Sequence, residues 1–240
     1  MVYTSIDNDK IKNIKKLNIK KNRDNEGLFL IEGDHLVKEA YKNGLLQTLV
    51  VREDETFKLD VPTITCSSKV MKYISELDNP KSVMGICKKR EFTGIGKHIL
   101  ALDGIQDPGN LGTIIRSAVA FDVDTILLSK DTVDLYNSKV VRATQGMLFH
   151  VNTLVCDLKE VLKNINYPKY ATKVDGGKSL KDTKIKDGYV IVMGNEGNGV
   201  SKEIMDMCDE YLYIDMNKNC ESLNVAVATS IILYKINKED

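Results

Sequence analysis

Three short segments of the chain are rich in residue types that bind ligands: glycine, asparagine, serine and isolated charged side chains. They are Asp103–Arg116, Gly194–Gly199 and Glu221–Ala228. Each segment follows a run of apolar residues that is predicted to be a strand, or it opens a predicted helix. In a parallel sheet, loops at the carboxyl ends of the strands are where ligands bind. All three segments are therefore candidate parts of a ligand site.

The first segment combines an amide and a guanidinium at the beginning of a predicted helix. Asp107 or Pro108 can start this helix, because proline costs nothing at the first helical position. Asn110 lies at the helix opening, and Arg116 lies about two turns further along, on the side opposite Ile114 and Ile115. The two polar side chains differ in direction by about 120°, so they would meet only around a ligand. On position alone, Arg116 is equally consistent with an ordinary surface arginine.

The second segment is a glycine-rich turn that carries one carboxylate, Glu196. Its glycines permit positive φ and close approach of the backbone to a ligand. The residue order matches neither the dinucleotide fingerprint nor the phosphate loop. A carboxylate in this turn would repel phosphates, which disfavours a polyphosphate cofactor. The alternative is a tight strand-to-helix turn with Glu196 in solvent.

The third segment opens the last helix of the chain. Ser222 can cap the N-terminus of this helix, and capping alone would explain its position. The helix then continues with small and apolar residues, which suit a tightly packed interface.

Alternating strands and helices are predicted to position the three segments. The predicted strands cover 28–31, 48–51, 61–65, 83–87, 98–102, 125–128, 170–174, 190–193 and 211–214, and the predicted helices cover 34–42, 68–75, 158–164, 201–208, 223–236 and the residues after Pro108. Asp34 is the predicted N-cap of the first of these helices. Such alternation is typical of a mainly parallel sheet covered on both faces. Two close glycines make Glu91–Lys97 the best linker between two domains.

Composition excludes several classes of protein. The 240 residues include 34 basic and 34 acidic side chains, and 42% are hydrophobic, which is ordinary for a globular chain. No apolar run approaches the roughly 20 residues of a membrane helix. Five cysteines form no C-x-x-C pair and three histidines are scattered, so we expect a reduced, cytoplasmic protein without a metal site.

The zero net charge conceals an uneven distribution. Residues 1–23 contain seven basic side chains and two acidic ones. Ile11, Ile14 and Ile19 form an apolar stripe, with Leu17 off that line, which predicts a short basic helix. Its charged face either contacts a nucleic acid or is simply solvated. Divided near residue 95, the chain has a charge of +3 in the first part and −3 in the second.

Together, the three segments resemble the motifs of the SpoU (TrmH-type) branch of the SPOUT RNA methyltransferases. The resemblance rests on Asn110–Arg116, Gly194–Gly199 and Glu221–Ala226, and Lys139–His150 is similar to the segment that follows the first motif of the family. Their order and spacing agree with the family over about residues 98–236. The first 90 residues are similar in pattern to the L30e-like RNA-binding domain that is often attached to such enzymes.

The resemblance implies a fold, a reaction and a set of site residues. It implies an α/β fold with an L30e-like domain at residues 1–92 and a parallel-sheet catalytic domain at residues 97–240 that contains a deep trefoil knot. It implies a homodimer whose active sites are completed across the interface, and S-adenosylmethionine as the cofactor. The cofactor-binding residues carried over by motif position are Gly194, Ile214, Met216 and Leu223, and the catalytic residues are Asn110, Arg116, Glu196, Ser222 and Asn224.

The implied reaction is methyl transfer to a ribose 2′-hydroxyl of RNA. Ribosomal RNA is the expected substrate because a separate RNA-binding domain is present; transfer RNA is the alternative. A second class of function is a non-catalytic RNA-binding or ribosome-assembly factor, which the complete set of motifs disfavours. The chain departs from the family at Asp215, where proline is common, and at Asn217–Cys220, where glycine is usual.

Overall fold

The computed structural model describes residues 1–237, which divide into two compact units. The first unit comprises residues 1–91 and 134–150, and the second comprises residues 92–133 and those from 151 onward. Residues 134–150 thus pack with the first unit, although they follow the first motif of the predicted catalytic domain along the chain. No helix among the described residues combines the length and the hydropathy that crossing a membrane requires.

Helices and strands alternate through most of the chain. The strands are β1 Val2–Tyr3, β2 Leu28–Glu32, β3 Leu46–Arg52, β4 Thr63–Cys66, β5 Val83–Lys88, β6 His98–Asp103, β7 Thr125–Ser129, β8 Asn152–Cys156, β9 Lys169–Thr172, β10 Lys178–Ser179, β11 Tyr189–Gly194 and β12 Glu210–Tyr213. The α-helices are α1 Asp9–Lys16, α2 Lys20–Glu26, α3 Asp34–Lys42, α4 Ser68–Ile74, α5 Pro108–Ala120, α6 Ser138–Ala143, α7 Leu158–Leu162, α8 Lys202–Met205 and α9 Val225–Asn237.

The first unit is built on a five-stranded mixed sheet with the order β1-β4-β3-β5-β2. Strands β1, β4 and β3 are parallel, whereas β5 runs antiparallel to both β3 and β2. Apolar residues of α1 and α4 share one core with alternate residues of the sheet. That core lies on one face of the sheet, because side chains alternate between the faces of a strand.

The basic N-terminal helix predicted from the sequence is two helices, α1 and α2. Ile11 and Ile14 are buried as predicted. The prediction that Ile19 continues this apolar stripe is wrong, because Leu17 is buried and Ile19 is 58% exposed. The helical period breaks here because the turn between α1 and α2 is attached to the end of α4, where the Asn18 side chain donates to the carbonyl of Ile74 at 2.8 Å.

The capping prediction for α3 is also wrong. Asp34 is the first residue of this helix, and the capping position is occupied by Gly33, which provides no side-chain hydrogen bond. The carboxylate of Asp34 instead lies in the first turn, 3.5 Å from the ammonium of Lys38. There it also interacts favourably with the positive N-terminal end of the helix dipole.

Residues 134–150 are held in the first unit by both apolar and charged contacts. The rings of Phe29 and Tyr136 lie 4.7 Å apart, and burial raises the pKa of Tyr136 to about 12. The side chain of Asp134 forms an ion pair with Arg23, which is almost completely buried. The guanidinium of Arg90 donates to the carbonyl of Phe149. The sequence alone predicted none of these contacts.

The second unit contains a seven-stranded sheet in which every described strand pair is parallel, with the order β10-β12-β9-β11-β6-β7-β8. This confirms the predicted parallel sheet. Strand β8 was missed in the sequence because it lies at the sheet edge and is only half apolar, with Val155 exposed to 56%. The predicted strand 170–174 ends at Thr172, and Val174 lies in the following exposed loop.

Strand β12 is inserted in the sheet between β9 and β10, two strands that follow each other directly along the chain. Residues 173–177 connect β9 directly to β10, yet β12 lies between them and pairs with both. The connection passes so close to β12 that a Cβ at Gly177 would overlap the carbonyl of Tyr211. Only glycine therefore fits at this crossing.

Candidate active site

A cavity of about 530 Å³ lies in the second unit and is lined by the second and third motif segments. The lining also includes residues that follow β9 and β12. It contains all four residues predicted to bind the cofactor, namely Gly194, Ile214, Met216 and Leu223, and three of the predicted catalytic residues, namely Glu196, Ser222 and Asn224. Its volume is in the range typical of small-molecule sites.

Hydrogen bonds join three predicted catalytic residues that are far apart in sequence. The amide of Asn110 donates to the carboxylate of Glu196 at 3.0 Å. The amide of Asn224 donates to the side-chain oxygen of Asn110 at 2.9 Å. Asn110 therefore links the second motif to the third, and the three segments form one site.

The Glu196 carboxylate is held as an anion. Burial raises its pKa, but the hydrogen bonds from Asn110 and from the backbone N–H groups of Gln106 and Asp107 outweigh burial. The net result is a pKa below the ordinary value of glutamate. Glu196 therefore serves as a fixed negative charge and hydrogen-bond acceptor, and it is a weak proton acceptor.

The loop at residues 194–199 is closed by its own backbone and by Asn195. The backbone groups of Asn195 and Gly199 bond to each other in both directions, at 3.0 and 2.9 Å. The Asn195 side chain accepts from the N–H of Gly197 and donates to the carbonyl of Gly104, both at 2.8 Å. A Cβ at Gly194 would overlap the backbone of Gly199 and Val200. Asn195 is a site-forming residue to which the sequence analysis assigned no role.

Helix α9 is capped by Asn224, and the prediction that Ser222 caps it is wrong. The Asn224 side-chain oxygen accepts from the N–H groups of Ala226 and Val227, at 2.9 and 3.3 Å. The helix begins two residues later than predicted, because an Asn at position 224 can use one end of its amide for the cap and the other for Asn110. Ser222 is exposed and lines the cavity.

Arg116 stands apart from the other predicted catalytic residues. It lies on α5 with an exposed side chain, while its neighbours Ile114 and Ile115 are fully buried. It is absent from the cavity lining, and it forms no ion pair with any residue between 1 and 237. The structure therefore brings together every predicted site residue except this arginine.

The unusual Asp215 does not line the cavity. Its carboxylate accepts a hydrogen bond from the hydroxyl of Ser179 and lies 3.6 Å from the ammonium of Lys181. These two partners, Ser179 first, hold the pKa of Asp215 below its ordinary value. Asp215 therefore leaves the apolar wall of Ile214 and Met216 undisturbed.

The cavity combines apolar side chains, backbone hydrogen-bonding groups and charged side chains. Ile214, Met216 and Leu223 offer apolar surface for a base, and the backbone of the glycine-rich loop offers hydrogen bonds. The ionised Glu196 places a negative charge in the lining, and Lys173 places a positive charge there. Within residues 1–237, no group of three His, Cys, Asp or Glu side chains is arranged to hold a metal ion.

Comparison with known protein families identifies both parts of the chain. Residues 97–234, more than half of the chain, match the family described as SpoU rRNA Methylase. The chain belongs to the SpoU rRNA methylase family. Residues 8–85 match the MRM3-like substrate binding domain. The predicted family, the class of enzyme and the α/β architecture with a smaller N-terminal substrate-binding domain are thereby confirmed.

Relatives of this SpoU family member align over nearly its whole length. A 23S rRNA (guanosine(2553)-2′-O)-methyltransferase of Bacillus subtilis is 34% identical, and the alignment covers 97% of each chain. The S-adenosylmethionine-bound rRNA methyltransferase of Sinorhizobium meliloti is 30% identical with a TM-score of 0.87, over 100% of this chain and 98% of that one. A TrmH-family protein of Porphyromonas gingivalis is 28% identical with a TM-score of 0.85, over 96% and 97%. S-adenosylmethionine is the cofactor of this family, as predicted.

Proposed function

We propose that the protein transfers a methyl group from S-adenosylmethionine to a ribose 2′-hydroxyl of 23S ribosomal RNA. The observation that carries the proposal is the Asn110–Glu196–Asn224 network beside a cavity that contains all four residues predicted to bind the cofactor. The Bacillus subtilis relative, by its name, acts on a guanosine of 23S rRNA. We extend that substrate to this chain, with residues 1–92 binding RNA and residues 97–240 performing the transfer.

The cofactor supplies an activated methyl group, so the protein has to position the acceptor oxygen and favour loss of its proton. Ile214, Met216 and Leu223 would pack against the nucleoside, and the loop that begins at Gly194 would bond it through backbone groups. Holding the reacting atoms about 3–3.5 Å apart and aligned lowers the activation free energy by several kcal/mol. The Asn110–Glu196–Asn224 network keeps the motif segments in one arrangement for that purpose.

Arg116 is the residue that we assign to the RNA side of the reaction. A guanidinium has a pKa above about 12, so it is a poor proton acceptor but a strong partner for a phosphate. Its exposed position and its lack of an ion pair within residues 1–237 leave it available for the phosphate of the target nucleotide. It would also stabilise negative charge that develops on the 2′-oxygen.

We further propose a homodimer in which Arg116 completes the site of the partner copy. Helices α5 and α9 pack together, with the hydroxyls of Ser117 and Ser230 2.7 Å apart. The same pair of helices, which carries Arg116 on α5, exposes apolar side chains of α9, including Val227 at 48% and Ile231 at 38%. A partner helix pair would cover that apolar surface and bring a second Arg116 to the site.

Two other features of the family belong to the proposal. The passage of β12 between β9 and β10, which are joined by residues 173–177, supports a trefoil knot in the catalytic domain. A cytoplasmic location is supported by the five free cysteines, since secreted chains commonly pair theirs.

The test of the proposed function replaces Arg116. We expect Arg116→Ala to abolish ribose methylation of 23S rRNA while calorimetry shows nearly unchanged affinity for S-adenosylmethionine. Arg116→Lys is the control that keeps the charge but loses the planar fork, and it should retain partial activity. Full activity of Arg116→Ala would contradict the assignment.

A mixing experiment tests the shared site. Arg116→Ala and Glu196→Gln proteins, each inactive alone, should regain part of the activity when they are unfolded and refolded together, because mixed dimers contain one intact site. No recovery, combined with a monomeric mass in light scattering, would exclude the shared site.

A further inference from the structure

Two lysine-bearing surfaces of the first unit differ in whether their lysines form ion pairs. On α3, Lys38 and Lys42 each form an ion pair with a carboxylate of the same helix, Asp34 and Glu39, at 3.5 and 2.8 Å. On α1 and α4 the lysines outnumber the acids, and most of them lack such a partner. This difference indicates that the two surfaces have different tasks.

Helices α1 and α4 present one continuous surface. Both pack on the same face of the five-stranded sheet, where Ile11, Ile14, Val70, Met71 and Ile74 belong to one core. Their solvent-facing residues therefore point to the same side of the unit. We call this surface, formed by Lys10, Lys12, Lys15, Lys16, Lys69 and Lys72, the basic surface.

Five of these six lysines form no ion pair with any residue of the described chain; Lys12 alone lies near a carboxylate, 3.5 Å from the exposed Asp7. Asp9 is the sole acidic residue within α1 and α4, and Glu76 follows α4 by two residues. Lysines therefore outnumber the acidic residues of these two helices by six to one.

Two of the lysines are held in place by aromatic rings. The ammonium of Lys10 lies 5.7 Å from the ring centre of Tyr3, and that of Lys15 lies 5.7 Å from the ring centre of Tyr73. Lys15 also donates to the carbonyl of Ser75 at 3.4 Å. These contacts order both ammonium groups, which lowers the entropy cost of binding a ligand.

The arrangement costs the free protein stability. Lys12 and Lys16 are four residues apart on α1, and Lys69 and Lys72 are three apart on α4, so like charges face each other along both helices. Each such pair destabilises its helix through repulsion between the two ammonium groups. A polyanion that binds across the surface would remove this repulsion.

We propose that the basic surface of α1 and α4 docks the phosphate backbone of the ribosomal RNA substrate. The proposal rests on the proposed function for its partner, and it adds where the RNA is bound. Contacts of lysine with phosphate carry no base information, so this surface supplies affinity and orientation, while the choice of nucleotide is made elsewhere. The loop between β3 and β4 is excluded as the docking site, because Glu53, Asp54, Glu55 and Asp60 make it acidic.

The test compares two triple variants of the full chain. Lys16→Ala/Lys69→Ala/Lys72→Ala removes three exposed charges from the basic surface. Lys38→Ala/Lys58→Ala/Lys81→Ala removes three exposed charges from elsewhere in the same unit. Binding to a labelled 23S rRNA fragment is measured over a series of KCl concentrations, together with the rate of methylation.

We expect the first variant to reduce the slope of log K against log [salt] by about two to three, because each lost phosphate contact reduces it by about one. Its KM for RNA should rise at least tenfold, with an unchanged kcat at saturating RNA and unchanged affinity for S-adenosylmethionine. The control variant should change the slope by less than about one.

Equal slopes for the two triple variants would overturn the proposal. If the first variant melts at a lower temperature than the control, the three lysines are replaced by glutamine and the slopes are measured again. Stronger binding of the wild-type protein to anionic lipid vesicles than to the RNA fragment, lost in the first variant, would assign the surface to a membrane and also overturn it. Absence of methyl transfer by the wild-type protein would contradict the proposed function alone, since the salt slopes do not depend on turnover.

Discussion

The two units use polar side chains in opposite ways. In the second unit, the polar groups of the site satisfy one another: Glu196 accepts from Asn110, which accepts from Asn224. In the first unit, five of the six lysines on α1 and α4 have no carboxylate partner within residues 1–237, and Arg23, almost completely buried, pairs with the partly buried Asp134. We infer that the second unit holds a small molecule in one geometry and that the first unit binds a polyanion.

This difference explains why motifs predicted the residues of the site, whereas for the basic N-terminal segment the sequence left two interpretations open, a nucleic-acid contact and a solvated face. A closed hydrogen-bond network needs particular residues at particular positions, so it leaves a sequence pattern. A basic surface needs only an excess of lysine on adjacent helices, which many sequences satisfy. The structure distinguishes this surface from α3, because the lysines of α3 form ion pairs and most lysines of α1 and α4 do not.

The largest expected effect tests the rigidity of the catalytic unit. We expect Gly194→Ala to reduce kcat/KM by about a hundredfold or more, because the added Cβ would overlap the backbone of Gly199 and Val200 and displace the loop. Binding of S-adenosylmethionine, measured by calorimetry, should weaken in parallel. RNA binding through the first unit should be retained.

Gly197→Ala is the matched control in the same loop. A Cβ at Gly197 would come no closer than 3.4 Å to another atom, the side-chain oxygen of Asn195, so near-normal activity is expected. If both variants lose activity equally, the loop depends on glycine flexibility, and the close contact at Gly194 is not the cause.

A second prediction concerns the ion pair between Arg23 and Asp134 in the first unit. Arg23→Met should lower the free energy of unfolding by about 2 kcal/mol, because it leaves the partly buried Asp134 carboxylate without its partner. The double variant Arg23→Met/Asp134→Leu should be more stable than the single one. Chemical denaturation measures both, and affinity for S-adenosylmethionine should be unchanged in each. A double variant as unstable as the sum of Arg23→Met and Asp134→Leu would show that the two side chains do not stabilise each other.

The smallest effect separates the two tasks of Asn224. Asn224→Ser keeps an oxygen that can cap α9 but loses the amide that donates to Asn110, so activity should fall about tenfold with stability almost unchanged. Asn224→Ala should lose about 1 kcal/mol of stability as well, because the cap is lost. Thermal melting and methylation rates measured on the same preparations decide this. Equal stability of the two variants would show that the cap contributes little.

Much of the fold could be predicted from the sequence, because buried parallel strands such as Val190–Met193 are continuous apolar runs. The predicted cofactor and catalytic residues came from motif order, and the structure gathers all but Arg116 at one cavity. The role of Asn195 was missed because a side chain that bonds its own loop has no distinctive spacing. The cap at Asn224 was misassigned to Ser222 because both residue types favour that position. The packing of residues 134–150 with the first unit is a long-range contact, which local patterns do not record.

The central claim is that the site in the second unit methylates a ribose 2′-oxygen of 23S rRNA. The most direct measurement incubates the full chain with methyl-labelled S-adenosylmethionine and a 23S rRNA transcript, and maps the modified nucleotide. The same transcript with a 2′-deoxy nucleotide at that position is the paired substrate. We predict label at a single ribose of the first transcript and none at that position in the second. Equal labelling of both transcripts, or none in either, would contradict the claim.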